Sequence, residues 1–327
     1  MQKWHLFTGE GEPRHVDIPL APPWRSFGEK VESGVPDWSF KPDAKDRYWK
    51  RARAYRTPPA ILDAVNAALV LRRPLLVTGP PGAGKSSLIY RVAFELGLGP
   101  VLVWPVNSRT TIESGLYDYD AIARLRDQNL GAAEAKDIGR YISLRALGTV
   151  LLPSPRPRAL LIDELDKADP DLPNDLLNIF EEGWFEIPEL QRHDIRQVNV
   201  RVADSIDSAG QGSTRASIVD GRVKCSEFPF IVLTSNGERE FPAAFLRRCI
   251  RVELEQPDVD QLADIVEAHI GKTVAQAARG QIDEFAKSGE SVATDQLLNA
   301  LYIVHKVNGV DDDAAQRLHR LLTRSLV

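Results

Sequence analysis

The sequence predicts an α/β fold in which a five-stranded parallel sheet lies between two layers of helices and is followed by an all-helical C-terminal region. Five short apolar runs indicate buried strands, at 74–78, 101–106, 159–162, 230–234 and 249–254. A helical pattern lies between the first two runs, which implies a parallel pair joined by a right-handed crossover. After Pro257 no strand pattern recurs, and helical spacing is found at 258–270, 274–287, 294–307 and 312–326.

The composition limits the classes of protein to which the chain can belong. The chain has 327 residues, of which 43% are hydrophobic and 27% charged, as in ordinary globular proteins. A formal charge of −5 argues against a protein whose main function is to coat nucleic acid, because neutralising phosphates requires a basic surface. The N-terminus has no apolar signal region and no run is long enough to span a membrane, so we expect a cytoplasmic protein.

The cysteines and histidines do not indicate a metal-binding site. Cys225 and Cys249 are too few for a disulfide framework and are not spaced as a metal pair, so we expect both to be small buried residues. The six histidines are scattered along the chain. No metal is therefore assigned to either residue type.

Residues 1–45 are rich in proline and aromatic residues without helical or alternating period, which predicts an extended arm. Its aromatic side chains have to cover either the body of this chain or a neighbouring subunit, because so much exposed apolar surface is unusual on a monomer. We expect packing in cis. Beyond the arm, Thr57 is predicted to cap a helix that has Pro58 and Pro59 in its first turn.

A glycine-rich loop follows the first strand and opens an amphipathic helix. Its spacing fits G-x-x-x-x-G-K-[ST], in which glycines let successive backbone N–H groups face a polyphosphate at the helix N-terminus. Lys85 is predicted to reach the β- and γ-phosphates, and the Ser86 hydroxyl to help hold Mg²⁺. The predicted nucleotide contacts are Gly79, Pro80, Pro81, Gly82, Ala83, Gly84, Lys85, Ser86 and Ser87.

Two adjacent carboxylates end the third strand. The apolar run 159–162 leads directly into Asp163 and Glu164, at the end of the strand where open parallel sheets bind ligands. Burying charge there is costly unless phosphate chemistry requires it. We interpret Asp163 as a residue of the Mg²⁺ shell and Glu164 as the group that activates the attacking water. A surface acidic turn would leave the four preceding apolar residues unexplained.

Polar residues follow the fourth strand and precede the fifth. Asn236 could bridge the attacking water and the γ-phosphate, or Asn236 and Gly237 could simply form a turn, and the dipeptide does not decide. Arg247 and Arg248 end a short helix before the fifth strand. Adjacent arginines at such a position usually just favour the helix dipole.

Two stretches depart from the sheet framework. Residues 107–153 form an excursion with a helix predicted at 120–137 and a strand at 140–144. A helix is predicted at 171–182, ended by Gly183, with a short strand at 184–187. The polar stretch 189–226 is predicted to be a hairpin with a mobile tip.

These motifs resemble those of AAA+ ATPases, and within that class the MoxR-like, helix-2-insert group, over roughly residues 50–310. The glycine loop stands at the family's Walker A, residues 160–166 at Walker B, residues 234–236 at sensor 1, and Arg247 and Arg248 at the arginine finger. The resemblance implies a P-loop NTPase three-layer core at 46–256 and a helical lid at 257–327. It also implies an insert at about 107–153 and a presensor region at about 184–228.

The resemblance further implies MgATP hydrolysis between subunits of a ring, typically a hexamer. Three strings, at 108–111, 116–120 and 171–177, resemble a subgroup from bacterial conflict systems that acts beside a von Willebrand A-type partner. One departure is the absence of a sensor 2 arginine, since 293–298 occupies its expected position. Either Arg279 replaces it from elsewhere in the lid, or the lid is coupled more weakly to the nucleotide.

Two hypotheses of function follow. A ring ATPase that remodels or activates a partner protein is favoured by Glu164 and Asn236, whereas a nucleotide-gated signalling switch is favoured by the absent sensor 2 residue. DNA remodelling is disfavoured by the net acidity. Small-molecule kinases share the phosphate loop but lack the arginine pair and the helical lid. GTP preference has no support, because no Asn-Lys-x-Asp follows the fourth strand.

Overall fold

The computed structural model describes residues 4–28, 47–131, 136–203, 214–287 and 294–307. The strands are β1 (Leu75–Thr78), β2 (Leu102–Pro105), β3 (Tyr117–Tyr119), β4 (Ile142–Leu144), β5 (Ala159–Asp163), β6 (Trp184–Glu186), β7 (Gln197–Arg201), β8 (Arg215–Val219), β9 (Arg222–Lys224), β10 (Phe230–Ser235) and β11 (Ile250–Glu253). The helices are α1 (Arg47–Ala54), α2 (Leu62–Leu71), α3 (Lys85–Leu96), α4 (Ile112–Leu116), α5 (Ala121–Asn129), α6 (Ala146–Val150), α7 (Leu172–Glu182), α8 (Pro188–Gln191), α9 (Ala243–Leu246), α10 (Val259–Ile270), α11 (Lys272–Ala277), α12 (Arg279–Lys287) and α13 (Thr294–Lys306).

The five predicted core strands form one parallel sheet in the order β11-β1-β10-β5-β2, which confirms the predicted fold class. Along β1, β2, β5 and β10, successive apolar residues enter different cores. On β5, Leu160 and Ile162 belong to one core, while Ala159 and Leu161 belong to the other. Both faces of the sheet are therefore covered, as parallel sheets require, and the domain has three layers.

The strand order brings the functional segments together. Strand β10 lies between β1 and β5 in parallel register, so the carboxyl ends of these three strands meet at one edge. The glycine loop leaves β1, Asp163 ends β5 and Asn236 follows β10. Open α/β sheets bind ligands at this edge.

A second, six-stranded sheet, in the order β3-β4-β7-β8-β9-β6, was not predicted as one unit. It combines strands from the excursion at 107–153 with strands from the presensor region. The two parts join where β4 pairs in parallel with β7 at Ser143 and Arg201. Such pairing between distant, short strands leaves no local signal in the sequence.

Several predicted boundaries were wrong. Of the helix predicted at 120–137, the described residues before the gap at 132–135 form α5, which Asp120 caps by accepting the Ala123 N–H. Gly131, soon after α5, adopts a positive φ of 68°. The strand predicted at 140–144 begins as a 3₁₀ turn, Ile138–Tyr141, and only β4 is extended. The predicted hairpin is formed by β7 and β8, whereas its tip at 204–213 lies outside the described residues.

Thr57 does not cap a helix. The chain forms a 3₁₀ turn, Pro59–Ile61, before α2 begins, and no side chain caps that turn. The Thr57 hydroxyl instead donates to the carbonyl of Gly9 in the arm, 3.0 Å away. A long-range hydrogen bond to the arm thus replaces the local cap that the sequence suggests.

Residues 4–28, the described part of the arm, pack in cis as expected. Phe7 and Phe27 are buried, whereas the Trp24 side chain is 77% exposed. Asn66 fixes the arm by accepting the backbone N–H groups of Leu6 and Phe7, at 2.7 and 2.9 Å. Residues 4–28 are therefore packed into the core of the chain.

The C-terminal helices form a small core of their own. Leu262, Val266, Ile282, Leu297 and Leu301 are buried against one another. The helix predicted at 274–287 is two helices, α11 and α12, because the chain leaves helical geometry at residue 278. The helix predicted at 312–326 lies outside the described residues, and the domain boundaries at 45/46 and 256/257 stay predictions.

Both cysteines are buried, with 1% and 6% of Cys225 and Cys249 exposed, as predicted. Burial raises the pKa of each thiol to about 12. Neither thiol is therefore a reactive thiolate at neutral pH. Among the helices that the structure describes, none combines the length and the apolar character needed to cross a bilayer.

Candidate functional site

The glycine loop has a backbone that only glycine adopts without strain. Gly79, Gly82 and Gly84 have φ values of 144°, 79° and 84°. A Cβ on Gly79 would lie 2.3 Å from the carbonyl oxygen of Leu254, and a Cβ on Gly84 would lie 2.9 Å from the Tyr55 ring. Backbone shape thus favours glycine at all three positions, and close neighbours also exclude a side chain at Gly79 and Gly84.

The loop ends at the N-terminus of α3. Gly84 is its N-cap residue and supplies no side chain to bond the amides of the first turn. The Gly84 carbonyl accepts the N–H groups of Ser87 and Leu88, at 2.9 and 3.2 Å. A 12-residue helix with an uncapped first turn after a glycine-rich loop is suited to binding a phosphate.

Lys85 lies between the loop and the tip of β10. Its ammonium group donates to the carbonyls of Gly79 and Pro80, at 2.7 and 2.8 Å, and to Oδ1 of Asn236, at 2.8 Å. Burial lowers the pKa of Lys85, and the carboxylates of Asp166, Asp163 and Glu164 oppose that shift. The structure therefore brings Lys85 and Asn236, predicted from separate motifs, into direct contact.

Asp163 joins the loop to two strands. Its Oδ1 accepts the hydroxyl of Ser86 at 2.8 Å and that of Thr234 at 2.6 Å. Thr234 in turn accepts the backbone N–H of Glu164 at 2.9 Å. Sequence reasoning placed Thr234 in a motif without giving it a role, although a hydroxyl next to the end of a fully buried strand was a usable signal.

Glu164 is held in an unusual conformation. It has a φ of 61°, in the left-handed region that a non-glycine residue rarely occupies. Its side chain is 48% exposed, and it accepts a hydrogen bond from the Lys167 ammonium at 2.8 Å. The carboxylate therefore lies at the solvent side of the sheet edge, paired with a surface lysine.

Asp166 orders the residues after β10. It is 4% exposed and accepts the backbone N–H groups of Asn236 and Glu238, at 2.7 and 3.4 Å. By fixing the backbone at Asn236, these bonds position its side-chain amide beside Lys85. Sequence reasoning missed this role, because only the fold shows that Asp166 faces the chain after β10.

Arg247 and Arg248 are not part of this cluster. Arg248 donates from Nε to Glu181 at 2.7 Å, whereas the side chain of Arg247 is exposed. No hydrogen bond or ion pair within the described ranges joins either arginine to the phosphate loop. Arg279, the alternative lid arginine, forms an ion pair with Asp260.

The residues around Ser86 fit a magnesium ion. A hydroxyl and a carboxylate are the hard oxygen ligands that Mg²⁺ prefers, and Ser86 and Asp163 are in contact. The described part of the chain contains no group of three or more His, Cys, Asp or Glu side chains arranged to hold a metal. One carboxylate beside a hydroxyl suits Mg²⁺, which usually binds one or two carboxylates together with substrate phosphates and water.

A family model described as AAA domain (dynein-related subfamily) matches residues 74–249. Among solved structures, the chain resembles two point variants of RuvB from Thermotoga maritima, each at 15% identity and a TM-score of 0.37. The alignments cover 79% and 80% of this chain but 65% and 68% of those chains. No curated protein sequence matches.

The family match extends from the residue before β1 to the residue before β11. It thus contains the glycine loop, Asp163, Glu164, Asn236 and the arginine pair. It covers more than half of the sequence, and this chain belongs to the AAA domain family, in its dynein-related subfamily.

Proposed function

We propose that this chain is a Mg²⁺-dependent ATPase of the MoxR-like AAA+ group that hydrolyses ATP at the interfaces of a ring. The observation that carries the proposal is one hydrogen-bonded cluster at the sheet edge. It joins Lys85 to Asn236, and Ser86 to Asp163. These are the groups that grip a triphosphate, hold its metal and orient an attacking water.

Each residue has a defined task in this proposal. The first-turn amides of α3 and the Lys85 ammonium bind the phosphates, and Lys85 exchanges its bonds to the loop carbonyls for bonds to the ligand. Ser86 and Asp163 would hold Mg²⁺, which would supply positive charge against the phosphates. Water attacks the γ-phosphorus, the bond to the β–γ bridging oxygen breaks, and Glu164 takes the proton of the water while Asn236 orients it.

The pairing of Glu164 with Lys167 is compatible with this task. Both side chains are close to half exposed, at 48% and 44%. A surface ion pair of this kind is worth about 0–1 kcal/mol. Glu164 can therefore leave Lys167 and turn toward a bound water at little cost.

Calorimetry tests the proposal directly. The Lys85→Ala variant should lose MgATP affinity by a factor on the order of 100, because it removes charged hydrogen bonds to the phosphates. Lys224→Ala, in which an exposed lysine on β9 is removed, is the matched control and should bind as the wild type does. Equal affinity of the Lys85→Ala variant and the wild type would reject the proposed site.

The ring is supported by the position of the arginine pair outside the cluster of its own chain. We propose that Arg247 or Arg248 enters the site of the adjacent subunit. Removing that residue is expected to lower the hydrolysis rate by about 10³–10⁵.

Mixing experiments check this expectation. Each arginine-to-alanine variant is mixed with Lys85→Ala, whose subunits keep their arginines but bind ATP weakly, at an ATP concentration that fills only the sites with Lys85. Hydrolysis should return only in the mixture that contains the variant of the acting arginine. If neither mixture regains activity although both single variants have lost it, an arginine acting in trans is ruled out. Particle mass with and without ATP measures ring size.

We further propose that the second sheet transmits nucleotide-driven movement to a client protein. Its support is that β3, β4 and β6–β9 lie outside the central sheet yet share one apolar core with it. A von Willebrand A-type partner is proposed on sequence resemblance alone. The partner that co-purifies at native expression would test this choice.

One observation favours the nucleotide-gated switch. Arg279, the lid arginine within the described ranges, forms an ion pair with Asp260. Weak coupling between the lid and the nucleotide would make binding, rather than turnover, the main signal. Bound nucleotide that survives purification mainly as ATP would support the switch, and mainly ADP would support the ring motor.

A further inference from the structure

Helix α1 directs a second cation at the first turn of α3. The Arg51 Nε donates to Oγ of Ser87 at 2.8 Å. The Arg51 guanidinium also lies over the ring of Tyr90, 5.1 Å from its centroid. Ser87 and Tyr90 both belong to α3, so Arg51 is held against the helix whose N-terminus receives the phosphates.

The residues that follow Arg51 also lie beside the glycine loop. The Arg51 carbonyl accepts the N–H of Tyr55 at 3.1 Å, and the Tyr55 ring packs against Gly84 of the loop. Residues 51–55 therefore flank the loop on one side. The side chain of Arg51 is exposed and has further donors on Nη1 and Nη2 beyond the Nε that Ser87 occupies.

The position of Arg51 along the site indicates which part of a nucleotide it would meet. Lys85 and Ser86 face Asn236 and Asp163, which mark the γ-phosphate and metal end. Ser87 is the next residue of the turn and bonds to α1 instead. In phosphate loops of this pattern the backbone amides around these residues cradle the α- and β-phosphates.

Arg51 also lies close to the C-terminal helices. Helix α1 contacts α10. Burial lowers the pKa of His269, near the end of α10, and the charges of Arg51 and Arg56 lower it further. Arg51 is thus within electrostatic reach of both the phosphate loop and the lid.

We propose that Arg51 is a nucleotide-binding residue that donates to the α-phosphate, a contact that ATP and ADP share. An arginine is suited to this task because its planar group can hold a hydroxyl and a phosphate oxygen at once. Nε can keep its bond to Ser87 while Nη1 and Nη2 donate to the phosphate. This inference rests on the proposed function, because it takes the loop as a nucleotide site.

The test is titration calorimetry of the full chain with MgATP and with MgADP. Arg51→Gln should weaken both by a similar factor, about tenfold, because a charged hydrogen bond to the shared phosphate is lost. Arg51→Lys should recover part of the affinity, since it keeps the charge without the planar fork. The melting temperature should change little, because the Arg51 side chain and its bond to Ser87 are exposed.

Arg53→Gln is the matched control. Arg53 is exposed on the same helix, but it pairs with Glu12 of the arm at 3.7 Å and lies over Phe94. Its replacement should leave both affinities unchanged. An equal loss in Arg51→Gln and Arg53→Gln would show a general effect on α1 and overturn the proposal.

Other results overturn it as well. Unchanged affinities in Arg51→Gln exclude the contact, and a loss for MgATP alone would place Arg51 at the γ-phosphate. Lys85→Ala, measured in parallel, separates the two levels of inference. Binding that depends on Lys85 but not on Arg51 rejects only this inference, whereas a wild-type chain that binds neither nucleotide rejects the proposed function too.

Discussion

Replacing Glu164 with glutamine is expected to stop ATP hydrolysis while MgATP binding stays at the wild-type level. Glutamine keeps the size of the side chain and the backbone N–H that donates to Thr234. It cannot take the proton of the attacking water, which removes general-base catalysis worth about 10²–10⁴ in rate. The binding groups Lys85, Ser86 and Asp163 are untouched.

The measurement is steady-state phosphate release together with calorimetric MgATP affinity. Glu182→Gln is the control, because it makes the same change at an exposed carboxylate at the end of α7. It should hydrolyse ATP at the wild-type rate. Wild-type turnover in Glu164→Gln would remove the assigned role of Glu164, and loss of binding would mean that the residue holds the nucleotide instead.

Replacing Glu95 with alanine is expected to reduce the free energy of unfolding by about 3–5 kcal/mol, as for other buried charges that lose their partner. The Glu95 carboxylate is fully buried. It accepts the N–H and hydroxyl of Thr8 at 2.7 and 2.6 Å, and the N–H groups of Gly9 and Gly11 at 3.0 and 3.1 Å. Removing it leaves these arm donors unsatisfied.

The substitution also removes the counter-ion of a buried arginine. The Arg91 side chain lies 3.7 Å from Glu95 and is 6% exposed. It donates to the carbonyls of Gly9 and Gly11, at 3.0 and 2.8 Å, so the arm is bound by both charges. Without Glu95, the Arg91 charge stays buried and loses its main counter-ion.

Denaturant unfolding measures the effect, with Glu182→Ala as an exposed control expected within about 0.5 kcal/mol of the wild type. Limited proteolysis should also cut the arm faster in Glu95→Ala. If that variant does not fold, Glu95→Gln keeps two acceptor lone pairs and should show a smaller loss in the same direction. A free energy of unfolding unchanged by Glu95→Ala would contradict an arm held by this carboxylate.

Sequence reasoning predicted the central sheet and the position of its polar residues well. Strands β1, β5 and β10 contain continuous apolar runs at 75–77, 159–162 and 230–233, which is the pattern of strands buried on both faces. The shape of the phosphate loop could be predicted because its glycines allow backbone conformations that other residues rarely adopt. Once the strands are parallel and adjacent, Asp163 and Asn236 have to lie at the edge where the loop is.

Contacts between segments that are distant in the sequence could not be predicted. Thr57 is a good helix cap by local preference, yet its hydroxyl bonds to Gly9 of the arm. The pairing of Ser143 with Arg201 joins the excursion at 107–153 to the presensor region. The bond from Arg51 to Ser87 joins α1 to α3. Each depends on the relative placement of whole elements, for which local propensity carries no information.

By itself, the sequence determined that this chain folds as a parallel α/β domain with a phosphate loop, and it named the polar residues at the strand ends. Those features follow from apolar periodicity and backbone shape, which are local properties. The tertiary structure alone decided that Lys85 meets Asn236, that Asp166 orders the chain beside them, and that Glu95 anchors the arm. The physical reason is that buried polar groups take whichever partners the packed elements bring within hydrogen-bonding distance.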